Sequence, residues 1–209
     1  MTPGVDCAAH ATETPSPWIA RFAHLVPSGA RVLDLACGYG RHARFFAGRG
    51  CRVLAVDRDL AALASMQGIA GIETRAADLE GAAWPFADER FDAIVVANYL
   101  HRPLFPHLAA ALVDDGTLLY ETFASGNGAY GRPSNPDFLL ETGELLKFAD
   151  FGLTAVAFEQ GLVGAGERSA VVQRLAAVGP RRAWPPALDP IGHSDGRAIA
   201  GPTRSVRMR

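Results

Sequence analysis

Residues 32–42, with the sequence VLDLACGYGRH, decide how the fold is interpreted. The segment begins as an apolar run typical of a buried strand, but it contains one acid, Asp34. Two glycines, Gly38 and Gly40, follow and open a helix-like stretch. A glycine turn between a strand and a helix is where an open α/β sheet brings a ligand close to the backbone. The segment therefore predicts a ligand-binding turn with a carboxylate beside it.

Strand-like and helix-like runs alternate along the rest of the chain. The strand-like runs are 31–37, 52–57, 72–78, 91–99 and 117–123. The helix-like runs are 16–26, 40–50, 60–67, 104–116 and 142–152. This alternation predicts an α/β fold with a Rossmann-like, doubly wound and mostly parallel sheet. Two last strand-like runs, 153–163 and 169–178, have no helix between them, so we expect a C-terminal hairpin that adds one antiparallel strand.

Length and composition indicate a single domain in a chain of 209 residues. We expect a flexible lead-in at 1–15, the domain at 16–179 and a disordered basic tail at 180–209, with a weak contact to RNA or another anion as the alternative role of the tail. The net charge of −2 gives no general attraction to nucleic acid or to anionic membranes. No signal peptide or membrane span is recognisable, and the three cysteines have no metal-like spacing, so we expect a reduced, cytoplasmic protein without a metal.

The acid at the glycine turn indicates which ligand binds there. A dinucleotide would place its pyrophosphate over the turn, and Asp34 would repel it. S-adenosylmethionine carries an ammonium group and no phosphate, so Asp34 favours this cofactor over NAD. Asp57, at the end of the second strand, can accept from both ribose hydroxyls, although NAD would use it in the same way. Asp78 and the backbone of Leu79, after the third strand, can address adenine. Either Asp57 or Asp78 could instead cap the next helix.

Five segments in order resemble the motifs of class I S-adenosylmethionine-dependent methyltransferases: VLDLACGYGRH, VLAVDRD, AADLEG, WPFADERFDAIVVANYLHR and LVDDGTLLYETF. The pattern is most similar to small bacterial tellurite-resistance-type methyltransferases, and residues 120–146 add to that likeness. The resemblance implies contacts with the methionine part from Asp34, Ala36, Gly38 and Gly40, with the ribose from Asp57 and Arg58, with adenine from Asp78 and Leu79, and under the sulfonium from Ala97 and Asn98.

The residues that would handle the methyl acceptor are expected after the fourth strand. His101 could act as a base, and Arg102 could hold an anionic acceptor with two hydrogen bonds. Alternatively, both residues begin the next helix and pack against the neighbouring loop. Tyr99, next to them, is a further candidate with the same alternative, and Glu121 is another possible acid or base. Tyr130, Arg132 and Asn135 lie in a glycine-rich loop that could equally be a plain surface loop.

The acceptor itself is expected to be a small molecule. The fourth strand ends in ANYLHR, which differs from the Asn/Asp-Pro-Pro-aromatic signature of enzymes that methylate exocyclic amines of nucleobases. No Pro-Cys nucleophile for cytosine is present, and no extra nucleic-acid-binding domain is recognisable. Three alternatives stay open: a methyltransferase acting on RNA or protein, a non-catalytic adenosylmethionine-binding or protein-interaction module, and a nicotinamide oxidoreductase. The sequence leaves the oligomeric state open.

Overall fold

The computed structural model describes residues 14–166 and 169–190. Within them, the strands of one sheet are β1 (Arg31–Leu35), β2 (Arg52–Asp57), β3 (Ile72–Ala76), β4 (Phe91–Ala97), β5 (Leu112–Phe123), β6 (Thr154–Val163) and β7 (Ala170–Val178). Their order is β3-β2-β1-β4-β5-β7-β6. β1 to β5 are parallel to one another, and β7 runs antiparallel to both β5 and β6. The predicted mostly parallel sheet with one antiparallel strand in a C-terminal hairpin is confirmed.

The helices that cover the sheet are short. The α-helices are α1 (Pro17–Phe22), α2 (Arg41–Gly48), α3 (Leu60–Ala64) and α4 (Phe105–Ala111). Additional 3₁₀ helices occur at Ala23–Leu25, Arg102–Leu104, Asn127–Ala129, Pro136–Phe138 and Glu144–Phe151. α1 begins at a capped end, because the Ser16 hydroxyl accepts a hydrogen bond from the Trp18 N–H and Pro17 occupies the first turn.

Two predicted helices differ from the observed ones. The helix expected at 104–116 ends at Ala111, because Leu112 already pairs with Phe91 and the chain continues as β5. The helix expected at 142–152 is a 3₁₀ helix over Glu144–Phe151. Left-handed glycines bound it at 143 and 152. In addition, the Leu145 N–H donates to the Gln173 side chain, so the segment is held by the neighbouring strand β7.

Two apolar layers enclose the sheet, and together they form the core. Leu33, Leu35 and Ile94 point to the face covered by α4 and the Glu144–Phe151 helix. Val32 and Val95 point to the other face, where Trp18 of α1 and Phe46 of α2 pack. Because successive side chains of a strand alternate between faces, Asp34 lies on the same face as Val32. A carboxyl group is thereby built into the core beneath α1 and α2.

The carboxyl ends of β1 to β4 meet at one edge of the sheet. The chain after β7 lies at the opposite, amino edge, where the Gly179 N–H donates to the Gly116 carbonyl and Arg182 donates to the Leu25 carbonyl. These contacts involve the first part of the predicted basic tail, while 191–209 and most of the predicted lead-in, 1–13, lie outside the described residues. Among the helices that the structure describes, none has both the length and the apolarity needed to cross a membrane.

Candidate functional site

Two adjoining cavities lie at the carboxyl edge of the sheet. The first has a volume of about 240 Å³ and is lined by Asp34, Ala36, Cys37, Gly38, Tyr39, Arg41, His42, Ala97 and Asn98. The second has a volume of about 190 Å³ and is lined by Ala36, Asp57, Arg58, Ala77, Asp78, Leu79, Glu80 and Tyr99. Ala36 belongs to both, so the two form one continuous site across the ends of β1 to β4. Every predicted cofactor residue except Gly40 lines this site.

The backbone turns sharply on both sides of the first cavity. Ala36 after β1 has a φ of 52° and Asn98 after β4 has a φ of 56°, both in the left-handed region that non-glycine residues rarely adopt. The Asn98 N–H donates to the Glu121 carbonyl at 2.9 Å, and the Cys37 N–H donates to the Val56 carbonyl at 3.0 Å. Such backbone strain persists where the surroundings enforce it, commonly at functional sites. Hydrogen bonds to the neighbouring strands therefore hold both turns in place.

The two glycines of the turn have different tasks. Gly38 has a φ of +52° and open space where a side chain would start. Its N–H donates to Asp57 Oδ2 at 2.8 Å, which ties the turn to the end of β2. Gly40 has a φ of +76°, and a Cβ there would lie 1.9 Å from Met66 Sδ. Gly40 thus allows α2 to start against the core, and it supports the site without lining it.

Asp34 is the most unusual polar group of the site. Its side chain is 1% exposed, and its Oδ2 has no hydrogen-bond partner within residues 14–166 and 169–190. Burial raises the pKa of Asp34 to about 8, against the opposing effects of the Ala43 backbone N–H and of Arg41. A buried acceptor without a donor carries a free-energy penalty until a donor arrives. The first cavity is consequently suited to a ligand that brings a cationic hydrogen-bond donor.

The other two acids already accept backbone hydrogen bonds. Asp57 accepts from Gly38 and, through Oδ1, from the Asp59 N–H at 3.0 Å. The helix that follows is capped by Asp59, which accepts from the first N–H groups of α3, so Asp57 is not its cap. Asp78 Oδ1 accepts from the Glu80 and Gly81 N–H groups, and these bonds lower the pKa of Asp78. Asp78 thus shapes its own turn, and both carboxylates line the second cavity.

Sequence reasoning missed several lining residues. Arg41 and His42 reach the first cavity because they occupy the first turn of α2 directly after the glycine turn, a position that the sequence could have indicated. His42 is 3% exposed and its Nε2 accepts the Ser16 N–H at 3.2 Å. Burial lowers the pKa of His42 to about 3, so the ring is neutral.

At the second cavity, burial raises the pKa of Tyr99, with the Glu80 carboxylate adding to the effect.

The predicted acceptor residues His101 and Arg102 do not line either cavity. Arg102 donates from Nε to Glu144 Oε1 at 2.7 Å and from Nη2 to Oε2 at 2.9 Å. It also donates to the carbonyls of Asp137 and Leu139. This bidentate geometry is already used within the protein, so binding an anionic acceptor there would require the pair to open. His101 directly precedes this residue and lies near Asp78.

The remaining candidates lie in or beside the loop at 125–141. Tyr130 is 48% exposed and Arg132 is exposed, while Asn135 caps the Pro136–Phe138 turn. Glu121 is 7% exposed and forms an ion pair with Arg174. A further cavity of about 650 Å³ lies under the loop and is lined by Arg102, Ser125, Gly126, Gly128, Ala129, Ser134, Pro136, Asp137, Leu139, Leu140 and Glu141.

This loop is fixed from inside by a buried amide. Asn127 is 1% exposed, its Nδ2 donates to the Pro133 carbonyl and its Oδ1 accepts the Val171 N–H. The Glu144 carboxylate adds a contact by accepting the Glu141 N–H. The large cavity therefore has a preformed wall. No cluster of potential metal ligands occurs in the parts of the chain that the structure describes.

A family model for the methyltransferase domain matches residues 32–116, which contain the glycine turn, both cavities and β1 to β4. No curated protein sequence matches the chain significantly. The domain match and the fold agree with the resemblance predicted from the motifs: residues 32–116 match a methyltransferase domain, and the sheet has the fold of S-adenosylmethionine-dependent methyltransferases.

Solved structures show the same fold. TehB from Haemophilus influenzae aligns with a TM-score of 0.63 and 18% identity, covering 75% of this chain, which spans only 59% of that TehB chain. A TehB-like S-adenosylmethionine-dependent methyltransferase from Corynebacterium glutamicum aligns with a TM-score of 0.58 and 22% identity over 82% of this chain and 91% of that one. The 1,6-didemethyltoxoflavin-N1-methyltransferase of Burkholderia thailandensis aligns with a TM-score of 0.56 and 24% identity over 78% of this chain and 77% of that one. The chain therefore shares its fold with TehB and with a TehB-like methyltransferase.

Proposed function

We propose that this chain transfers a methyl group from S-adenosylmethionine to a small-molecule acceptor. The observation that carries the proposal is the buried carboxyl of Asp34, whose Oδ2 has no partner among the described residues and which faces the cavity at the glycine turn. The ammonium group of the cofactor is the donor that this carboxyl lacks. The methyltransferase domain match over the same residues supports S-adenosylmethionine as the cofactor.

The two cavities divide the cofactor between them. The first would hold the methionine part, with Asp34 at the ammonium group. The second would hold the adenosine, with Asp57 at the ribose hydroxyls and Asp78 and Leu79 at adenine. The hydrogen bonds that Asp57 and Asp78 already accept orient both carboxylates, and each carboxylate retains further acceptor positions.

The sulfonium supplies a methyl group that is already activated for transfer. The residues of this chain therefore have to position an acceptor and exclude water around it. Ala97 and Asn98 line the first cavity at the end of β4, where the backbone would approach the reacting centre. His101 remains the proposed base for an acceptor that must lose a proton. Arg102 supports the acceptor side by holding the loop at 125–141 through Glu144.

A small acceptor is supported by the size of the site and by structural neighbours. The cavity under the loop, at about 650 Å³, is in the range of small-molecule sites. The Burkholderia thailandensis neighbour is described with bound 1,6-didemethyltoxoflavin and S-adenosylhomocysteine. Coclaurine N-methyltransferase, aligned with a TM-score of 0.57, is described with N-methylheliamine and S-adenosylhomocysteine. A methyltransferase acting on protein or RNA, and a non-catalytic binding module, are the competing proposals.

The test has two stages. Calorimetric titration with S-adenosylhomocysteine should show binding with a dissociation constant in the micromolar range, and NADH should show none. Incubation with methyl-labelled S-adenosylmethionine and fractionated small molecules, protein or RNA should then transfer label only to the small-molecule fraction. Binding of NADH alone would support the oxidoreductase alternative. Cofactor binding without transfer to any fraction would support the non-catalytic module.

A further inference from the structure

We propose that Asp34 is protonated in the free protein and releases that proton to solvent when the ammonium group of the cofactor enters the first cavity, an inference that rests on the function proposed above. The Asp34 carboxyl in the cavity would then be neutral before binding and would ionise as the positively charged ligand enters. The ligand class that triggers the release is defined by its chemistry: an adenosine derivative that carries an α-ammonium group.

The position of Asp34 in the sheet is the first support. The residue lies in β1 beside Ala55 of β2 and Val95 of β4, and it is 1% exposed. Neither neighbour offers a side-chain hydrogen-bond donor. Oδ2 has no partner among the residues that the structure describes, although the cavity reaches this side chain. An ionised carboxylate in such surroundings would lose its hydration with only the Ala43 backbone N–H to compensate, so the neutral acid is favoured.

The charged and titratable groups around Asp34 leave the neutral acid favoured, because burial has the largest effect. Arg41 at the start of α2 favours the ionised form, and Asp57 at the end of β2 opposes it. Burial outweighs both and raises the pKa of Asp34 to about 8. The others that line the cavity with it are Cys37 and Tyr39 of the glycine turn and His42 of α2.

Two of these groups have no proton to release at neutral pH. Burial lowers the pKa of His42 to about 3, so the ring is already deprotonated. Burial raises the pKa of the Cys37 thiol, with Asp34 and Asp57 adding to the effect, so the thiol keeps its proton. Asp34 is thus the carboxyl acid of the cavity whose ionisation a cationic ligand would change.

The exchange balances in atoms and charge. The O–H bond of the Asp34 carboxyl breaks and its proton passes to the buffer. The ammonium group keeps its three protons and donates one N–H to the new carboxylate, which forms a charge-assisted hydrogen bond. A nucleoside thioether without the amino acid part brings no cation, and Asp34 should then keep its proton. Recognition of the ammonium group and loss of the proton are therefore one event.

Calorimetric titration at pH 6.5 in two buffers of different ionisation enthalpy measures the proton count directly. S-adenosylhomocysteine should release about one proton per bound molecule, because an α-amino group with a pKa of about 8 is already protonated at this pH. 5′-Methylthioadenosine, which keeps the adenosine and the thioether, should release none. Affinity for S-adenosylhomocysteine should rise about tenfold per pH unit between pH 6 and 7.5.

Two variants assign the proton to its residue. Asp34→Asn should abolish both the proton release and the pH dependence of affinity. Asp59→Asn is the matched control, because Asp59 caps α3 and lies outside both cavities, and it should retain both. Binding of S-adenosylhomocysteine without net proton release would overturn this inference and leave the proposed function intact, as would unchanged release from Asp34→Asn. Absence of any binding would overturn the proposed function itself.

Discussion

The guanidinium of Arg102 binds both carboxylate oxygens of Glu144, at 2.7 Å and 2.9 Å. The pair joins the segment after β4 to the 3₁₀ helix before β6, and it encloses one end of the loop at 125–141. Glu144 is 3% exposed. Burial would raise its pKa, but the hydrogen bonds from Arg102 and from the Glu141 N–H hold the pKa of Glu144 below its ordinary value. Arg102, which the sequence predicts to bind an anionic acceptor, therefore forms an internal ion pair beside the loop at 125–141.

Arg102→Ala should destabilise the fold by about 2 kcal/mol, because it leaves a buried carboxylate without its partner while the arginine itself is partly solvated. Arg181→Ala is the matched control: its pair with Asp114 is 80% and 65% exposed, and its loss should cost less than about 1 kcal/mol. Urea unfolding of both variants measures the difference. Unchanged stability of Arg102→Ala together with lost methyl transfer would favour the direct acceptor role over the structural one.

The buried ring of His42 should make the fold acid-sensitive. Its pKa is about 3 in the folded protein and about 6.5 in an unfolded chain, so the unfolded state binds the proton more tightly. Stability contributed by the neutral ring is therefore complete above about pH 6.5 and falls as the pH drops towards 3. Between pH 7 and pH 5 the loss should be about 2 kcal/mol.

His42→Gln should remove this loss, since glutamine has no proton to gain. Asp34 titrates in the opposite sense, because its pKa is raised on folding, so the free energy of unfolding of the variant has to be compared with that of the unchanged protein at each pH. The free energy of unfolding of the unchanged protein minus that of His42→Gln should fall by about 2 kcal/mol from pH 7 to pH 5. A difference that is constant with pH would show that His42 is not the group responsible.

Three glycines with left-handed backbones separate strain from packing. Gly29→Ala and Gly38→Ala meet no atom within 4 Å and should each cost about 1–2 kcal/mol from backbone strain alone. Gly40→Ala must also displace Met66 in the core, and should cost about 1–3 kcal/mol more. Thermal unfolding ranks the three. Only Gly38 lines the first cavity, so Gly38→Ala should weaken binding of S-adenosylhomocysteine while Gly29→Ala, before β1, leaves it unchanged.

Asp57→Ala should weaken binding of S-adenosylhomocysteine by about 1.5–3 kcal/mol, the scale of a charged hydrogen-bond partner. Part of the effect would come from Gly38, whose N–H loses its acceptor. Asp57→Asn keeps one acceptor oxygen and should lose less. Calorimetric titration gives both values, and an affinity unchanged in Asp57→Ala would remove this residue from the ribose role.

The sequence was sufficient for the sheet and for the line of acids along its edge. Apolar strands separated by helices allow few topologies, and each strand end carried a residue whose chemistry suited one part of the same ligand. The end of α4 was harder to place, because the apolar residues from 108 to 113 fit a helix as well as a strand. The pairing of Leu112 with Phe91 ends the helix and starts β5, and such pairing across the sheet leaves no signal in the nearby sequence.

The contacts around the loop at 125–141 could not be predicted from the sequence for the same reason. Arg102 and Glu144 are 42 positions apart, so nothing near Arg102 indicates that its hydrogen bonds are already made. Asn127, which fixes the loop, was likewise not predicted to be important, because its partner Val171 lies far along the chain in β7. Residues whose role depends on a distant partner need the fold before they can be interpreted.

The chain after β7 leaves the sheet next to the start of β5, at the edge opposite the cavities. Its residues 181–190 are held there by the contacts of Arg182 with Leu25 and of Ala187 with His24. Coupling the protein to a sensor chip through this segment would therefore orient every molecule with its cofactor cavities towards the flowing solution. Ligand screening by surface methods can use this geometry directly, without a linker that reaches around the molecule.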